Sequence, residues 1–313
     1  MEMLTIFSTN SAGLKSKLAS FKNELKSTKA AIFTVQETHF NRKGKLKVEN
    51  FEIFEAIRTK QKGGTIIGVH KALSPILIKE YSEEFELLCV EVKIKKKEIR
   101  IISGYGPQET WSEAERLPFF LALEEEIIKA ELDGKSVIIE MDSNNKLGPE
   151  LIPNDPHRQS TNGKILSGIL QRHGLVVANG NVKCEGKITR RRITKDGVEE
   201  SIIDHVIISE DLEKDMESIR IDEDGEHVLT KICKTKKGVK VTKSDHNVII
   251  SKFRINWTRK AKSARIDMFN LKNKECQLKF TELTSSGDFL SSAFNSEDDI
   301  NTCTNRFLKR LNQ

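Results

Sequence analysis

The five cysteines, Cys89, Cys184, Cys233, Cys276 and Cys303, form no C-x-x-C pair, are widely separated and are odd in number. That spacing argues against a disulfide framework and against a cysteine-based zinc site, and a reducing compartment is the simplest reading. No apolar run approaches the roughly 20 residues that a membrane-spanning helix needs. Residues 1–10 are too short and too polar for a secretion signal, so an intracellular location is expected. There is no internal repeat and no large excess of one charge. Lys and Arg number 52 against 46 for Asp and Glu, giving a formal charge of +6. A polyanionic partner suits that mild basicity, but many proteins with other partners share it. What is present is ordinary for a soluble globular chain: 313 residues, 37% hydrophobic and 31% charged, enough to bury a sizeable core.

Periodicity supplies the elements. Residues 3–8, 30–35, 64–70, 87–93, 99–103, 137–139, 202–208 and 248–255 read as strands, most of them buried. Leu14, Leu18, Phe21 and Leu25 share one helical face. A second helix is expected from Ser112 to Leu132, with Leu117, Phe120, Leu121, Ile127 and Ile128 inward and Gly134 as its stop. A third runs from about Gly163 to His173 with Asn162 as N-cap. Residues 182–200 read as a hairpin. Helices are too few to cross over between every pair of strands, which favours a layered α/β (α+β) body with largely antiparallel sheets. Composition turns polar after about Arg254. The expected division is a catalytic body over 1–255 and a helical extension over 256–313, with helices near 268–280 and 299–311.

Polar residues cluster where buried strands end. The stretches are Ser8-Thr9-Asn10, Gln36-Glu37-Thr38-His39, Gly104-Tyr105-Gly106-Pro107, Met141-Asp142-Ser143-Asn144, Ile203-Asp204-His205 and Ser244-Asp245-His246-Asn247. If these ends meet at one edge, the inventory suits phosphodiester hydrolysis. Carboxylates such as Glu37 and Asp245 are hard ligands for Mg²⁺. Asn and Tyr donors can hold non-bridging oxygens, and a histidine oriented by a carboxylate can move a proton. Taken singly, each piece has a bland reading. Asp142 before Ser143-Asn144 is an Asx turn, Tyr105 a rim aromatic, Glu37 a strand cap and His246 a satisfied turn histidine. Asp204 differs, because a carboxylate inside a buried strand demands a partner.

In order and spacing, these motifs resemble the endonuclease/exonuclease/phosphatase superfamily, whose pattern is N-x-x-G-L, Q-E-T, Y-x-P, G-D-x-N, I-D-Y/H and S-D-H. Here it reads Asn10 to Gly13-Leu14, Gln36-Glu37-Thr38, Tyr105 to Pro107, Met141-Asp142 to Asn144, Ile203-Asp204-His205 and Ser244-Asp245-His246. Within that superfamily the chain is similar to the endonuclease of non-LTR retrotransposon polyproteins, through His39, Asn162-Gly163, Gly174-Leu175, Thr189-Arg190-Arg191 and His205. It departs from the pattern at Met141, in place of glycine, at Ser143, in place of a bulkier apolar residue, and at Ala12, where apurinic endonucleases carry aspartate.

The resemblance implies a four-layer α/β sandwich with its site at one edge. It implies Glu37, Asn10 and Asp245 at a Mg²⁺ ion, with Mn²⁺ as the alternative. Asp142 and Asn144 would face the attacking water and phosphate, Tyr105 the phosphate, and His246 would act as acid or base, oriented by Asp204. The implied function is nicking of one DNA strand to leave a 3′-hydroxyl. The partners would be DNA and a downstream reverse transcriptase domain absent from this sequence, and the compartment the nucleus. The alternatives are an RNA deadenylase or lipid phosphatase of the same superfamily, or a non-catalytic nucleic-acid-binding derivative. Of the two sharp basic clusters, Lys95-Lys96-Lys97 reads as a solvated hairpin tip. Arg190, Arg191 and Arg192 are expected to contact DNA, because in the resembling enzymes the hairpin before the Ile-Asp strand meets substrate.

Overall fold

The computed structural model describes residues 2–57, 63–235 and 238–259. Two sheets stack face to face. The first has seven strands in the spatial order β10 (Cys184–Glu185), β14 (Met216–Ile221), β17 (Ile249–Trp257), β1 (Glu2–Asn10), β2 (Ile32–Gln36), β4 (Thr65–His70) and β3 (Phe51–Ala56). The second has six, β5 (Ile76–Tyr81), β6 (Glu86–Ile94), β7 (Lys97–Tyr105), β8 (Ser136–Asp142), β13 (Asp204–Ser209) and β9 (Leu175–Val177). Two hairpins stand apart, β11 (Arg190–Thr194) with β12 (Gly197–Ser201), and β15 (Thr230–Thr235) with β16 (Gly238–Lys243).

Burial follows the period of two. Leu4 and Ile6 of β1, Ile138 of β8, Val206 and Ile208 of β13 and Phe253 of β17 fill the space between the sheets. On the outer face of the first sheet, Phe7, Phe33, Val35 and Ile250 meet Phe21 and Leu25 of helix α1 (Leu18–Ser27). On the outer face of the second, Ile139 and Met141 meet helices α2 (Glu113–Leu132) and α3 (Thr161–Arg172). Helix–sheet–sheet–helix is the layering expected, and pairing is mostly antiparallel. Each sheet also carries a central parallel pair, β1 with β2 and β7 with β8. A parallel pair needs a crossover, and α1 and α2 supply one each.

Several expected details change. Leu121 and Ile128 of α2 face solvent, at 63% and 41% exposure, while Phe119, Phe120, Leu123 and Ile127 turn inward. Phe120 and Ile127 are buried as expected, and Phe119 and Leu123 take the places expected of Leu121 and Ile128. Ser160, not Asn162, caps α3, through Oγ accepting from Gly163 N at 3.1 Å. Asn162 is instead buried, donating from Nδ2 to Pro107 O at 3.0 Å. Of residues 182–200, the hairpin proper is confined to 190–201. Strand β17 runs past 255 to Trp257, whose indole N–H donates to Met3 O at 3.2 Å. The expected helices near 268–280 and 299–311 lie outside the described residues.

Candidate active site

The two central parallel pairs explain why scattered motifs meet. Parallel strands end together, so Asn10 pairs in register with Gln36, and Tyr105 with Asp142. Antiparallel neighbours begin at that same edge, so Asp204 opens β13 directly opposite Asp142, and β17 begins beside Ser8. Gln36 Nε2 donates to Ser103 Oγ at 2.8 Å and joins the two sheets just beneath the edge.

Short polar side chains at these ends divide their atoms between the loop and the cluster. Asp142 Oδ1 accepts from Asn144 N at 3.0 Å, which is the Asx turn read from the sequence. Its Oδ2 remains for the site, accepting from Asn10 Nδ2 at 2.8 Å. Asn10 does the same: Oδ1 accepts from Ala12 N at 2.9 Å, and Nδ2 also donates to Glu37 Oε1 at 3.0 Å. One carboxamide thus gathers two carboxylates from different sheets. Glu37 Oε2 lies 3.4 Å from His39 Nε2, on a side chain still 25% exposed. Glu37 and His39 hold positive φ, 47° and 53°. Gly63 and Gly64 hold this loop by accepting from His39 N and Thr38 N at 2.7 and 3.0 Å. A Cβ on Gly64 would fall 2.3 Å from Thr38 Oγ1, so a larger residue would disturb the Glu37 turn.

The other half is an ion-paired imidazole. His246 Nδ1 lies 3.0 and 2.9 Å from the two oxygens of Asp204, and Nε2 lies 3.9 Å from Asp142 Oδ2. All three side chains are buried. Burial opposes charge on the ring, but the Asp204 charge and hydrogen bond, with Asp142 behind them, lift His246 to about 9. Burial and the neighbouring Asp204 push Asp142 up to about 7, against His246 and its hydrogen bonds. Near neutrality the ring is therefore a proton donor, and Asp142 can take a proton. Asn144 Nδ2 donates to Gly106 O at 2.8 Å. Tyr105 sits beside Asn144 and Gln108, and burial, then Glu37 and Asp142, hold its phenol above the ordinary range.

The structure thus brings Asn10, Glu37, Tyr105, Asp142, Asn144, Asp204 and His246 to one edge. Asp245 is held differently: its Oδ2 accepts from Arg190 Nε at 3.0 Å. Among the described residues, the His, Cys, Asp and Glu triple whose ligand atoms lie within 4.8 Å of one another is Asp142, Asp204 and His246, not the expected metal set. Their closeness already has a cause, the proton shared between His246 and Asp204, which a cation there would displace. The Glu37 and Asp142 carboxylates, both reached by one Asn10 amide, are oxygen donors of the kind a hard divalent ion takes.

The arginine row is not a bare strip of cations. Arg190 is paired with Asp245, while Arg191 Nε reaches Glu200 Oε1 at 2.7 Å. Cross-strand register sets Arg192 opposite Glu199. Lys97 likewise pairs with Asp215 and Asp211, leaving Lys95 and Lys96 as the turn between β6 and β7.

Four further residues hold the site; Thr189 and Ser244 enter the sequence analysis only as parts of motifs, and Asn179 and Lys17 not at all. Thr189 Oγ1 accepts from Ile203 N and Asp204 N at 2.9 and 3.1 Å. Asn179 donates from Nδ2 to Asp204 O at 3.0 Å and accepts from Val206 N at 2.7 Å. Ser244 Oγ donates to Asn10 O at 2.8 Å. Lys17, within the expected amphipathic helix, is buried against the loop after β1. Its spacing, three residues after Leu14 and four before Phe21, sets it at the edge of the apolar stripe, which is the mark in sequence that it turns inward.

No family model and no curated protein matches the chain. Solved structures do. The endonuclease domain of TRAS1, a telomere-specific non-LTR retrotransposon, aligns at 21% identity over 81% of this chain and 100% of that one, with a TM-score of 0.57. The catalytic domain of Xenopus laevis APE2 aligns at 15% identity over 80% and 92%, with a TM-score of 0.61. An AP endonuclease from Archaeoglobus fulgidus aligns at 17% identity over 80% and 99%, with a TM-score of 0.59. The fold of this protein is therefore the endonuclease/exonuclease/phosphatase fold that these structures share.

Proposed function

We infer that the protein is a metal-dependent endonuclease that nicks one strand of DNA by phosphodiester hydrolysis, leaving a 3′-hydroxyl. The observation that carries this reading is the Asp204–His246–Asp142 line joined through Asn10 to Glu37. In it, Asp142 accepts the proton of the attacking water. His246, charged and fixed by Asp204, gives its proton to the departing 3′-oxygen, while Asp142 keeps the one taken from water. Asn144 and Tyr105 are placed to donate to non-bridging oxygens, where charge grows in the transition state, while both Asn10 amide hydrogens are committed to Glu37 and Asp142. Glu37, with Asp142 held near it through Asn10, would hold Mg²⁺ or Mn²⁺. When bound, the ion neutralises charge on the phosphate and the leaving oxygen. The likeness to the TRAS1 domain supports placing the activity in retrotransposition. Target DNA in the nucleus and a reverse transcriptase domain that extends the new 3′-hydroxyl belong to the same reading.

A supercoiled plasmid tests it. With Mg²⁺ the plasmid relaxes to the nicked circle, and with chelator it stays supercoiled. Intact plasmid under both conditions, or release of phosphate from a 3′-phosphoryl end without nicking, overturns the endonuclease assignment.

The arginine hairpin adds a second expected result. Replacing Arg190, Arg191 and Arg192 together by Ala weakens plasmid binding and flattens the dependence of log K on log salt by no more than about three phosphate contacts. Because Arg190 and Arg191 already face acids, the loss is smaller than three free cations would give. A fluorescence-anisotropy salt titration measures the slope, and an unchanged slope removes the hairpin from the DNA interface.

A further inference from the structure

Lys17 lies outside the cluster described above, yet bonds connect it to the centre. Its ammonium donates to Ser11 O, and to Ala12 O at 3.1 Å. The loop that presents those carbonyls is conformationally costly, because Ala12 and Gly13 are both left-handed, with φ of 42° and 96°. A non-glycine residue holds such a conformation only where its surroundings fix it. Two consecutive carbonyls turned toward one ammonium are such a fixture, since Lys offers three donors from a single point.

The chain of contacts continues. Ala12 N donates to Asn10 Oδ1 at 2.9 Å, which sets the Asn10 carboxamide so that Nδ2 reaches both Glu37 and Asp142. The ammonium also lies within the fields of Asp245 and Glu37; burial lowers its pKa while these two carboxylates raise it. It is thus a buried cation behind an acidic edge, with the loop of Asn10 as its anchor.

We propose that Lys17 is a positioning residue of the active site: it clamps the 11–13 turn, and through Ala12 it orients the Asn10 side chain that spans Glu37 and Asp142. This rests on the function proposed above only for its effect on rate; the geometric part stands without it.

The experiment uses the full chain as wild type, Lys17→Met and Lys17→Arg, with thermal unfolding recorded for each. In metal-free protein, the two side-chain amide resonances of Asn10, assigned by their loss in Asn10→Asp, report its orientation. In Lys17→Met those resonances shift and kcat for plasmid nicking falls about tenfold, with KM for DNA little changed. Lys17→Arg, which keeps charge and donors, lies between Lys17→Met and wild type in both measures. A folded variant that loses nicking with the Asn10 resonances unmoved, or moves them without losing rate, overturns the proposal. Should Lys17→Met fail to fold, Lys17→Arg alone applies the same criterion. If wild type does not nick at all, the endonuclease assignment fails, and the Asn10 resonances still decide the geometric part.

Discussion

Replacing His246 by Ala lowers the rate of plasmid nicking by roughly 10²–10⁴-fold, the range that a positioned proton donor contributes. The substitution also destabilises the protein. Asp204 is buried and its carboxylate is paired with His246, so losing the ring strands a charge, at a cost of about 3–5 kcal/mol. Adding Asp204→Asn removes the stranded charge, so the double variant regains stability without regaining rate. Asp142→Asn shows the opposite pairing of effects. It loses rate to a similar extent, yet keeps or gains stability, because burial and Asp204 already disfavour the Asp142 carboxylate. Single-turnover nicking and urea unfolding on the same four proteins separate catalysis from folding. A folded His246→Ala that nicks within tenfold of wild type would remove the imidazole from the mechanism.

Metal-free protein becomes less stable as pH rises from about 6.5 through about 9, by a few kcal/mol in total. Three buried groups drive this. Asp142 is raised to about 7 and His246 to about 9. Glu140 points between the sheets near the Ser251 hydroxyl, with neither carboxyl oxygen hydrogen-bonded, and burial pushes it up to about 8. For each, the folded state holds its proton to a higher pH than the unfolded chain does. Stability must therefore fall with pH across the interval between the two pKa values. The His246 contribution is complete below 6.5, its ordinary value, and gone above about 9. The two acids begin to subtract at lower pH, from 3.8 and 4.5, and finish near 7 and 8. Carboxylates held low by lysine or arginine, such as Glu91, act the other way but only in acid, so they do not mask the alkaline slope. Urea midpoints at the two ends of the interval measure it, with chelator present so that no cation answers the acids. Glu140→Gln makes the slope shallower. A flat or rising profile would mean that these groups are hydrated and not desolvated.

Much of the site was legible because strand-end chemistry is local. Each of Asn10, Glu37, Tyr105 and Asp142 follows or closes a hydrophobic run, His246 stands just before one, and their order along the chain matches a known pattern. The demand of Asp204 for a partner followed from its burial alone, and His246 meets it. Other features were not legible. Local periodicity does not reveal that Asp245 would turn to Arg190, because their pairing joins a hairpin base to a segment 55 residues away. Sequence places Phe120 and Ile127 inward correctly but not Leu121 and Ile128, because Phe119, Phe120, Leu121 and Ile127, Ile128 offer two overlapping apolar stripes. Only the packed second sheet selects between them. The short strands β5, β9 and β10 have weak patterns, and pairing with stronger neighbours makes them strands.

By itself, the sequence determined the layered α/β class, the alternation that makes both sheets two-faced, and the set of polar groups available at the strand ends. Tertiary structure alone decided which of those groups touch. Hydrophobic patterning sets which face a side chain takes, but is silent on which distant strand lies beside it. The two central parallel pairs decide that here, ending β1, β2, β7 and β8 together at one edge. The clamp of Lys17 on the Ser11 and Ala12 carbonyls, and of Thr189 on Asp204, belongs to the same class. Unlike the local Asx turn of Asp142, these hydrogen bonds depend on where a carbonyl or an N–H comes to rest in space, which no side-chain pattern encodes.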